Sequence, residues 1–84
     1  MSNDKLLFLL STSGCHLCGE ATILCNELGI KYQSVDIVED DNLVAAYGDK
    51  IPVAIAEGAE QALFWPFDRE QLHLYVKAYG INKN

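Results

Sequence analysis

The sequence predicts one α/β domain with the element order β-α-β-α-β-β-α. Three observations lead to this fold class. A short apolar run, Leu6–Leu10, ends in a Ser-Thr-Ser-Gly loop and is typical of a buried strand. An amphipathic helical pattern follows it, and Ile30–Ile37 then alternates apolar with polar residues as a strand does. Such a strand–helix–strand unit favours parallel pairing, and a later hairpin adds an antiparallel edge.

The first helix is predicted from apolar residues that recur every three or four positions. Ser13 or the Gly14–Cys15 peptide marks its start, and Gly29 is a natural residue to follow its end. Cys15 is therefore expected in the first helical turn. The predicted apolar face consists of Leu17, Ala21, Leu24, Cys25 and Leu28.

The second helix follows the acidic cluster Glu39–Asp41, which offers an N-cap and favourable first-turn charges. It is expected to run through Leu43, Val44 and Tyr47 and to stop at Gly48.

The last part of the chain predicts a hairpin and a helix. The strands Ile51–Ala56 and Gln61–Trp65 flank a turn at residues 57–60. Asp68 and Gln71 form a capping-box pair at the start of the last helix, and Phe67 is expected to pack on Leu72. The apolar stripe of this helix, which Gly80 closes, consists of Leu72, Tyr75, Val76 and Tyr79.

Length and charge narrow the function classes. The 84 residues suit one domain, 1–84, with disorder expected only at Met1–Asp4 and Asn82–Asn84. A net charge of −6 with scattered basic residues argues against nucleic-acid binding. The apolar run Leu6–Leu10 is too short for a signal peptide, and no stretch approaches the roughly 20 apolar residues of a membrane span. We therefore expect a cytoplasmic protein that does not bind membranes.

The pair Cys15 and Cys18 predicts redox chemistry. Cys15 lies where a strand ends and a helix begins, and helix N-terminal amides stabilise a thiolate over a thiol. Cys18 is about one helical turn away, so it can close a small disulfide ring and is more shielded. Cys15 would attack a substrate disulfide, and Cys18 would then resolve the mixed disulfide. His16, between them, either adds positive potential beside the thiolate or is simply solvated.

Two other interpretations of the cysteine pair stay open. One is a pair of buried thiols without chemistry. The other is a metal site, for which the additional candidate ligands are Cys25, His16 and His73. Cys25 belongs to the predicted apolar face of its helix, so a site within one chain is not expected. A cluster shared between two chains through Cys15 is harder to exclude.

The sequence resembles the glutaredoxin-like branch of the thioredoxin superfamily from about Lys5 to Tyr79. The motifs are CHLC at 15–18, the Ile51-Pro52-Val53 segment and the Phe64–Asp68 segment before the last helix. They look most like a small bacterial group of glutaredoxin-like proteins. The resemblance implies a thioredoxin/glutaredoxin-like fold with a four-stranded mixed sheet and helices on both faces.

The resemblance also implies roles for individual residues. Cys15 corresponds to the exposed nucleophile, Cys18 to the resolving thiol and Pro52 to a cis-proline that faces the disulfide. An X-Pro bond taken alone would be expected in trans, and only the resemblance reverses that expectation. The predicted substrate-binding residues are His16, Leu17, Ile51 and Pro52.

The sequence departs from the pattern of glutathione-using members. His16 stands where those members have a proline, and Ile51 stands where they have a threonine. The segment Trp65–Asp68 stands where they have two glycines followed by an acidic residue. Because glutathione carries carboxylates and this chain is acidic, weak attraction is expected. The predicted partner is a disulfide-containing protein or a small thiol such as glutathione.

The leading functional hypothesis is a cytoplasmic thiol–disulfide oxidoreductase of cell redox homeostasis. It is expected to be a monomer without a metal, and without a cofactor beyond its own disulfide, with glutathione as one candidate reductant. The alternative is a non-enzymatic iron–sulfur or metal carrier that uses the cysteine pair across a dimer. A weaker third hypothesis is a binding module that uses Trp65 and neighbouring aromatic residues.

Overall fold

A computed structural model describes residues 5–81 of the chain. The predicted disorder at Met1–Asp4 and Asn82–Asn84 lies outside the described residues. The element order is the predicted one, with an additional 3-10 turn at Ile37–Glu39. The elements are β1 Leu7–Ser11, α1 His16–Leu28, β2 Tyr32–Asp36, α2 Asp41–Tyr47, β3 Val53–Ala56, β4 Leu63–Phe64 and α3 Arg69–Ala78.

The four strands form one mixed sheet in the order β2-β1-β3-β4. β1 pairs in parallel with β2, with Leu7 opposite Tyr32 and Ser11 opposite Asp36. It pairs antiparallel with β3, with Leu10 opposite Val53. The C-terminal end of β1 and the N-terminal end of β3 therefore meet at the same end of the sheet.

Helices cover both faces of the sheet, as the resemblance implied. Side chains alternate between the two faces of a strand, so neighbouring residues enter different clusters. Leu9 and Ala54 pack with α1 and α3, whereas Leu10 and Val53 pack with α2. The larger cluster consists of Leu7, Leu9, Ala21, Cys25, Ile30, Ala54, Ala56, Phe67, Leu72, Val76 and Ile81.

The helix ends follow local sequence signals. Gly29 has a φ of 69° beyond α1, a left-handed conformation that glycine adopts without a steric cost. Asp40 caps α2, since its side chain accepts from the backbone N–H groups of Asn42 and Leu43. Asp68 and Gln71 form the predicted capping box of α3. These contacts are local in the chain, and this is why the pattern predicts them.

Several predicted features differ from the structure. β1 is Leu7–Ser11 where Leu6–Leu10 was predicted, and β2 and β3 each begin two residues later than predicted, at Tyr32 and Val53. β2 ends at Asp36, because the Asp36 carboxylate accepts from the N–H of Val38 at 3.2 Å and begins the 3-10 turn. β4 is only two residues long and stops before Trp65, whose neighbour Pro66 has no backbone N–H to donate. Leu17 was expected on the buried face of α1, but it is 42% exposed. Among residues 5–81, no helix is long and apolar enough to cross a membrane.

Candidate active site

The structure joins Cys15 and Cys18 in a disulfide at the start of α1, with their Cα atoms 5.2 Å apart. Cys15 is the N-cap residue, with an extended backbone at φ −86° and ψ 105°. It therefore precedes the first helical turn, one position earlier than expected. At this position its sulfur lies among the backbone N–H groups that have no partner inside the helix.

One of these N–H groups contacts the Cys15 sulfur directly. The N–H of Cys18 donates to Cys15 Sγ at 3.1 Å. This donor would also face a thiolate at Cys15, and a hydrogen bond to a charged acceptor is stronger than one to a neutral acceptor. The local fold therefore provides Cys15 with a specific contact that favours its anionic form.

The two sulfurs differ in their environment. Cys18 is buried, whereas Cys15 is half-buried. The carbonyl of Cys18 accepts from Thr22 Oγ1 at 3.0 Å, and the carbonyl of Cys15 accepts from the Gly19 N–H at 3.3 Å. Cys15 is therefore the more accessible residue of the pair.

A short turn brings the chain from β1 to Cys15. The N–H of Cys15 donates to the carbonyl of Thr12 at 3.4 Å. Gly14, inside this turn, has a φ of 78°, a backbone conformation that other residues rarely adopt. The glycine therefore sets the direction in which Cys15 enters the helix.

His16 and Leu17 lie between the cysteines on the surface. The His16 side chain is 90% exposed, and its Nε2 lies 3.3 Å from Glu20 Oε2, one helical turn further on. The Glu20 carboxylate carries a negative charge that opposes the predicted positive potential of His16. Leu17 is exposed beside it, whereas Cys18 is buried.

Pro52 lies at the same end of the sheet as the disulfide. The Ile51–Pro52 bond is cis, as the resemblance implied. One step beyond the last β1–β3 pair, Leu10 with Val53, the register brings Pro52 to the level of Ser11. Pro52 is fully buried and Ile51 half-buried. The predicted substrate-binding residues thus lie on two segments that the sheet brings together.

Trp65 lies across β3 and β4 from Pro52, since Val53 pairs with Phe64. It is half-buried and packs against the larger core cluster, with its ring edge-to-face on buried Phe67 at 5.0 Å between centroids. Its side chain lines a groove with Glu20, Ile23 and Leu24. The sequence pointed to Trp65 through the third hypothesis, a binding module, but nothing in it indicated that Ile23 and Leu24 line the same groove.

Cys25 takes no part in the site. It is fully buried and free, as expected for a core residue. Burial raises the pKa of its thiol from 9.0 to about 11, so this thiol stays protonated near neutral pH. Within residues 5–81, no three His, Cys, Asp or Glu side chains come together as metal ligands. The alternative of a metal carrier shared by two chains stays a prediction.

The fold and the cysteine pair define a class of protein. A CxxC disulfide at a strand-to-helix junction lies at the same sheet end as a cis-proline, on a mixed four-stranded sheet covered by three helices. This is the thioredoxin-like fold.

The comparison with protein families narrows the class. A model described as "Glutaredoxin-like domain (DUF836)" matches residues 6–77, and the chain belongs to this family. No curated protein matches the chain.

Solved structures agree with the family. An X-ray structure of the structural genomics target XcR50 from X. campestris is 33% identical, with a TM-score of 0.76 over 86% of this chain and 96% of that chain. A solution structure of XcR50 is 32% identical, with a TM-score of 0.77 over 87% and 94%. A solution structure of Ne2328 from Nitrosomonas europaea is 21% identical, with a TM-score of 0.67 over 89% and 94%, and shows the fold alone.

Proposed function

We propose that the protein is a thiol–disulfide oxidoreductase that cycles between the Cys15–Cys18 disulfide and a dithiol. The observation that carries this proposal is the asymmetric disulfide at the N-terminus of α1. The sulfur of its more accessible residue, Cys15, accepts a hydrogen bond from the Cys18 N–H, and Cys18 is buried one turn away. Membership of the glutaredoxin-like family supports the same chemistry.

The proposed cycle balances without a bound cofactor. In the reduced protein, the Cys15 thiolate attacks one sulfur of a substrate disulfide, and the other sulfur leaves as a thiolate that takes up a proton. Cys18, after losing its proton, attacks Cys15 Sγ and releases the second substrate thiol. The substrate gains two electrons and two protons, and the protein becomes the disulfide. An external dithiol, or two molecules of a monothiol such as glutathione, returns the protein to its reduced form.

The proposed setting is the cytoplasm, where reductants keep thiols reduced. The free thiol of Cys25 and the single CxxC pair fit that setting. The proposed partner is a disulfide in a polypeptide or a small thiol. Ile51 and Pro52 on one segment, and His16 and Leu17 on the other, are the proposed contacts for this partner.

The experiment is a redox titration with paired cysteine variants. Equilibration against dithiothreitol should give one two-electron transition for the natural chain. Cys15→Ser should abolish reduction of a model disulfide. Cys18→Ser should still attack through Cys15 and accumulate as a mixed disulfide, which mass spectrometry detects.

Cys25→Ala is the matched control, because this thiol is buried away from the pair. It should keep the two-electron transition and the turnover. Full turnover in Cys15→Ser, or a Cys15–Cys18 pair that neither oxidises nor reduces with any thiol, would refute the proposal. Iron and zinc analysis of protein purified without oxygen tests the carrier alternative in the same preparation.

A further inference from the structure

A groove lies between α1 and the segment after β4. Its cavity of about 280 Å³ is lined by Ile23, Leu24, Trp65 and Glu20. Three of the four side chains are apolar. Ile23 is 56% exposed although its side chain is apolar. The volume lies just below the roughly 300–1,000 Å³ of typical small-molecule sites, so it suits one or two amino-acid side chains.

The sheet register places Trp65, one wall of this groove, beside Pro52. Val53 pairs with Phe64, so Pro52 and Trp65 follow as the next neighbours across β3 and β4. Trp65 packs against the cluster that contains α1 and α3, which is the face that carries the groove. The opposite wall starts at Glu20, two residues after Cys18. A chain bound across Pro52 therefore has the groove within reach of its neighbouring side chains.

The wall of the groove that α1 forms is continuous because of the spacing of its residues along the helix. Glu20, Ile23 and Leu24 are three and four residues apart, and such positions are neighbours on one helix face. The other wall is held in place, because Trp65 packs edge-to-face on buried Phe67. The groove is therefore formed before any partner binds.

The charge around the groove is negative. The helix α1 contains two glutamates and no lysine or arginine. Glu27 forms an ion pair with Arg69, with 2.8 Å between Glu27 Oε1 and Arg69 Nη2. Among the ion pairs of the described residues, Glu20 contacts only the exposed imidazole of His16. The whole chain carries a net charge of −6. An occupant with a positive charge beside an apolar side chain is complementary to this surface.

We propose that the groove selects disulfide substrates that are polypeptides with a leucine-like side chain and a lysine or arginine near the cystine. The apolar side chain packs between Ile23 and Trp65, and the cation pairs with Glu20. This inference rests on the proposed oxidoreductase function and names its substrate class.

The test measures kcat/KM for reduction of synthetic peptides that contain one fluorescently labelled disulfide. Three peptides differ only in the two residues after the cystine, which are Lys-Leu, Glu-Leu or Lys-Ser. The natural chain should prefer Lys-Leu roughly threefold over Glu-Leu at low salt, since pairs with exposed carboxylates are weak. It should prefer Lys-Leu roughly fivefold over Lys-Ser, because burial of an apolar side chain contributes more.

Three groove variants separate the two contacts. Glu20→Lys should reverse the preference between Lys-Leu and Glu-Leu while the preference for leucine stays. Ile23→Ser and Trp65→Ala should each remove the preference for leucine while the preference for lysine stays. Ile23 is exposed, so its variant is expected to fold even where Trp65→Ala does not.

Matched controls lie outside the groove. Glu60→Lys makes the same charge change in the turn between β3 and β4, and Leu74→Ala removes an exposed apolar side chain from α3. Both should keep the peptide preferences of the natural chain. Equal rates for all three peptides would overturn the inference and leave the oxidoreductase function standing. Failure to reduce any peptide, together with an inert Cys15–Cys18 pair, would instead overturn the function itself.

Discussion

The three cysteines of this chain lie within eleven residues, and their surroundings give them different chemistry. Cys15 is half-buried at the helix N-cap and accepts a hydrogen bond from the Cys18 N–H. Cys18 is buried in the first turn, and Cys25 is enclosed in the larger core cluster. A thiol deep in a core is disfavoured as an anion, whereas a sulfur at a helix N-terminus is favoured as one. Position in one helix thus separates the reactive pair from the inert thiol.

Cys25 predicts a loss of stability at alkaline pH. Its pKa is raised from 9.0 to about 11 in the folded chain, so the unfolded chain loses this proton first as the pH rises. The stabilisation is fully present below about pH 9 and is lost as the pH rises towards about 11. It amounts to roughly 2–3 kcal/mol. Denaturant unfolding of the oxidised protein, compared with Cys25→Ala between these pH values, measures it.

The comparison isolates one thiol, because the disulfide removes the other two from titration. At pH 8, Cys25→Ala should be less stable by about 1–2 kcal/mol because it leaves a small cavity. The two proteins should become equally stable as the pH rises, and their order should reverse before about pH 11, because the loss from the Cys25 thiol exceeds the cost of the cavity. Stability curves that stay parallel would contradict the assigned titration.

Helix α3 is tied to the sheet by a single side chain as well as by its apolar stripe. The hydroxyl oxygen of Tyr75 accepts a hydrogen bond from the N–H of Ala56 at 3.0 Å. The same hydroxyl donates a hydrogen bond to the carbonyl of Gln61 at 2.6 Å. Burial raises the pKa of Tyr75, so the hydroxyl stays a donor at neutral pH. One phenol thereby connects the end of β3 with the segment that leads into β4.

Tyr75→Phe should destabilise the fold by about 1–2 kcal/mol, because the partly buried N–H of Ala56 loses its acceptor. Thermal or denaturant unfolding measures the change. Tyr79→Phe is the control, since it keeps the ring that packs on Tyr75 at 4.8 Å. If both variants lose the same stability, the bridge between β3 and β4 contributes nothing specific.

The accuracy of the sequence predictions depended on the distance along the chain between interacting residues. The capping box of Asp68 and Gln71 and the end of α1 at Gly29 are set by neighbours within one turn, so the pattern predicted them. The exposure of Leu17 depends on what packs over α1, and periodicity gives no information about that. The groove joins Trp65 to Ile23 across 42 residues, a contact that only the folded sheet creates.

At the scale of the whole molecule, the negative net charge is expected to favour the approach of cationic small disulfides over anionic ones. The net charge is −6, and among the described residues two basic side chains are engaged with carboxylates, Arg69 with Glu27 at 2.8 Å and Lys50 with Asp49 at 3.2 Å. The hydrogen bond from Lys50 lowers the pKa of Asp49, so this exposed carboxylate keeps its charge to lower pH. The surface therefore repels anions over a distance that salt controls.

Cystamine, a cationic disulfide, should react several-fold faster with the reduced protein than anionic oxidised glutathione at low salt. The difference should shrink at about 1 M salt, where the Debye length falls to about 3 Å. Stopped-flow rates for both compounds, and for the neutral 2-hydroxyethyl disulfide as reference, measure this effect. A preference for oxidised glutathione at every salt concentration would contradict it and would indicate a dedicated glutathione site.

The position of β1 inside the sheet has a consequence for biosynthesis. β1 is the first strand to be made, and its partner strands lie at residues 32–36 and 53–56. A nascent chain therefore carries this apolar strand with at least one open edge until Ala56 has been added. The apolar face of that strand stays uncovered still longer, because Leu72 and Val76 of α3 come later. Strands with open edges are sites of aggregation, so the growing chain is expected to be most prone to aggregate in the interval before Val76 emerges.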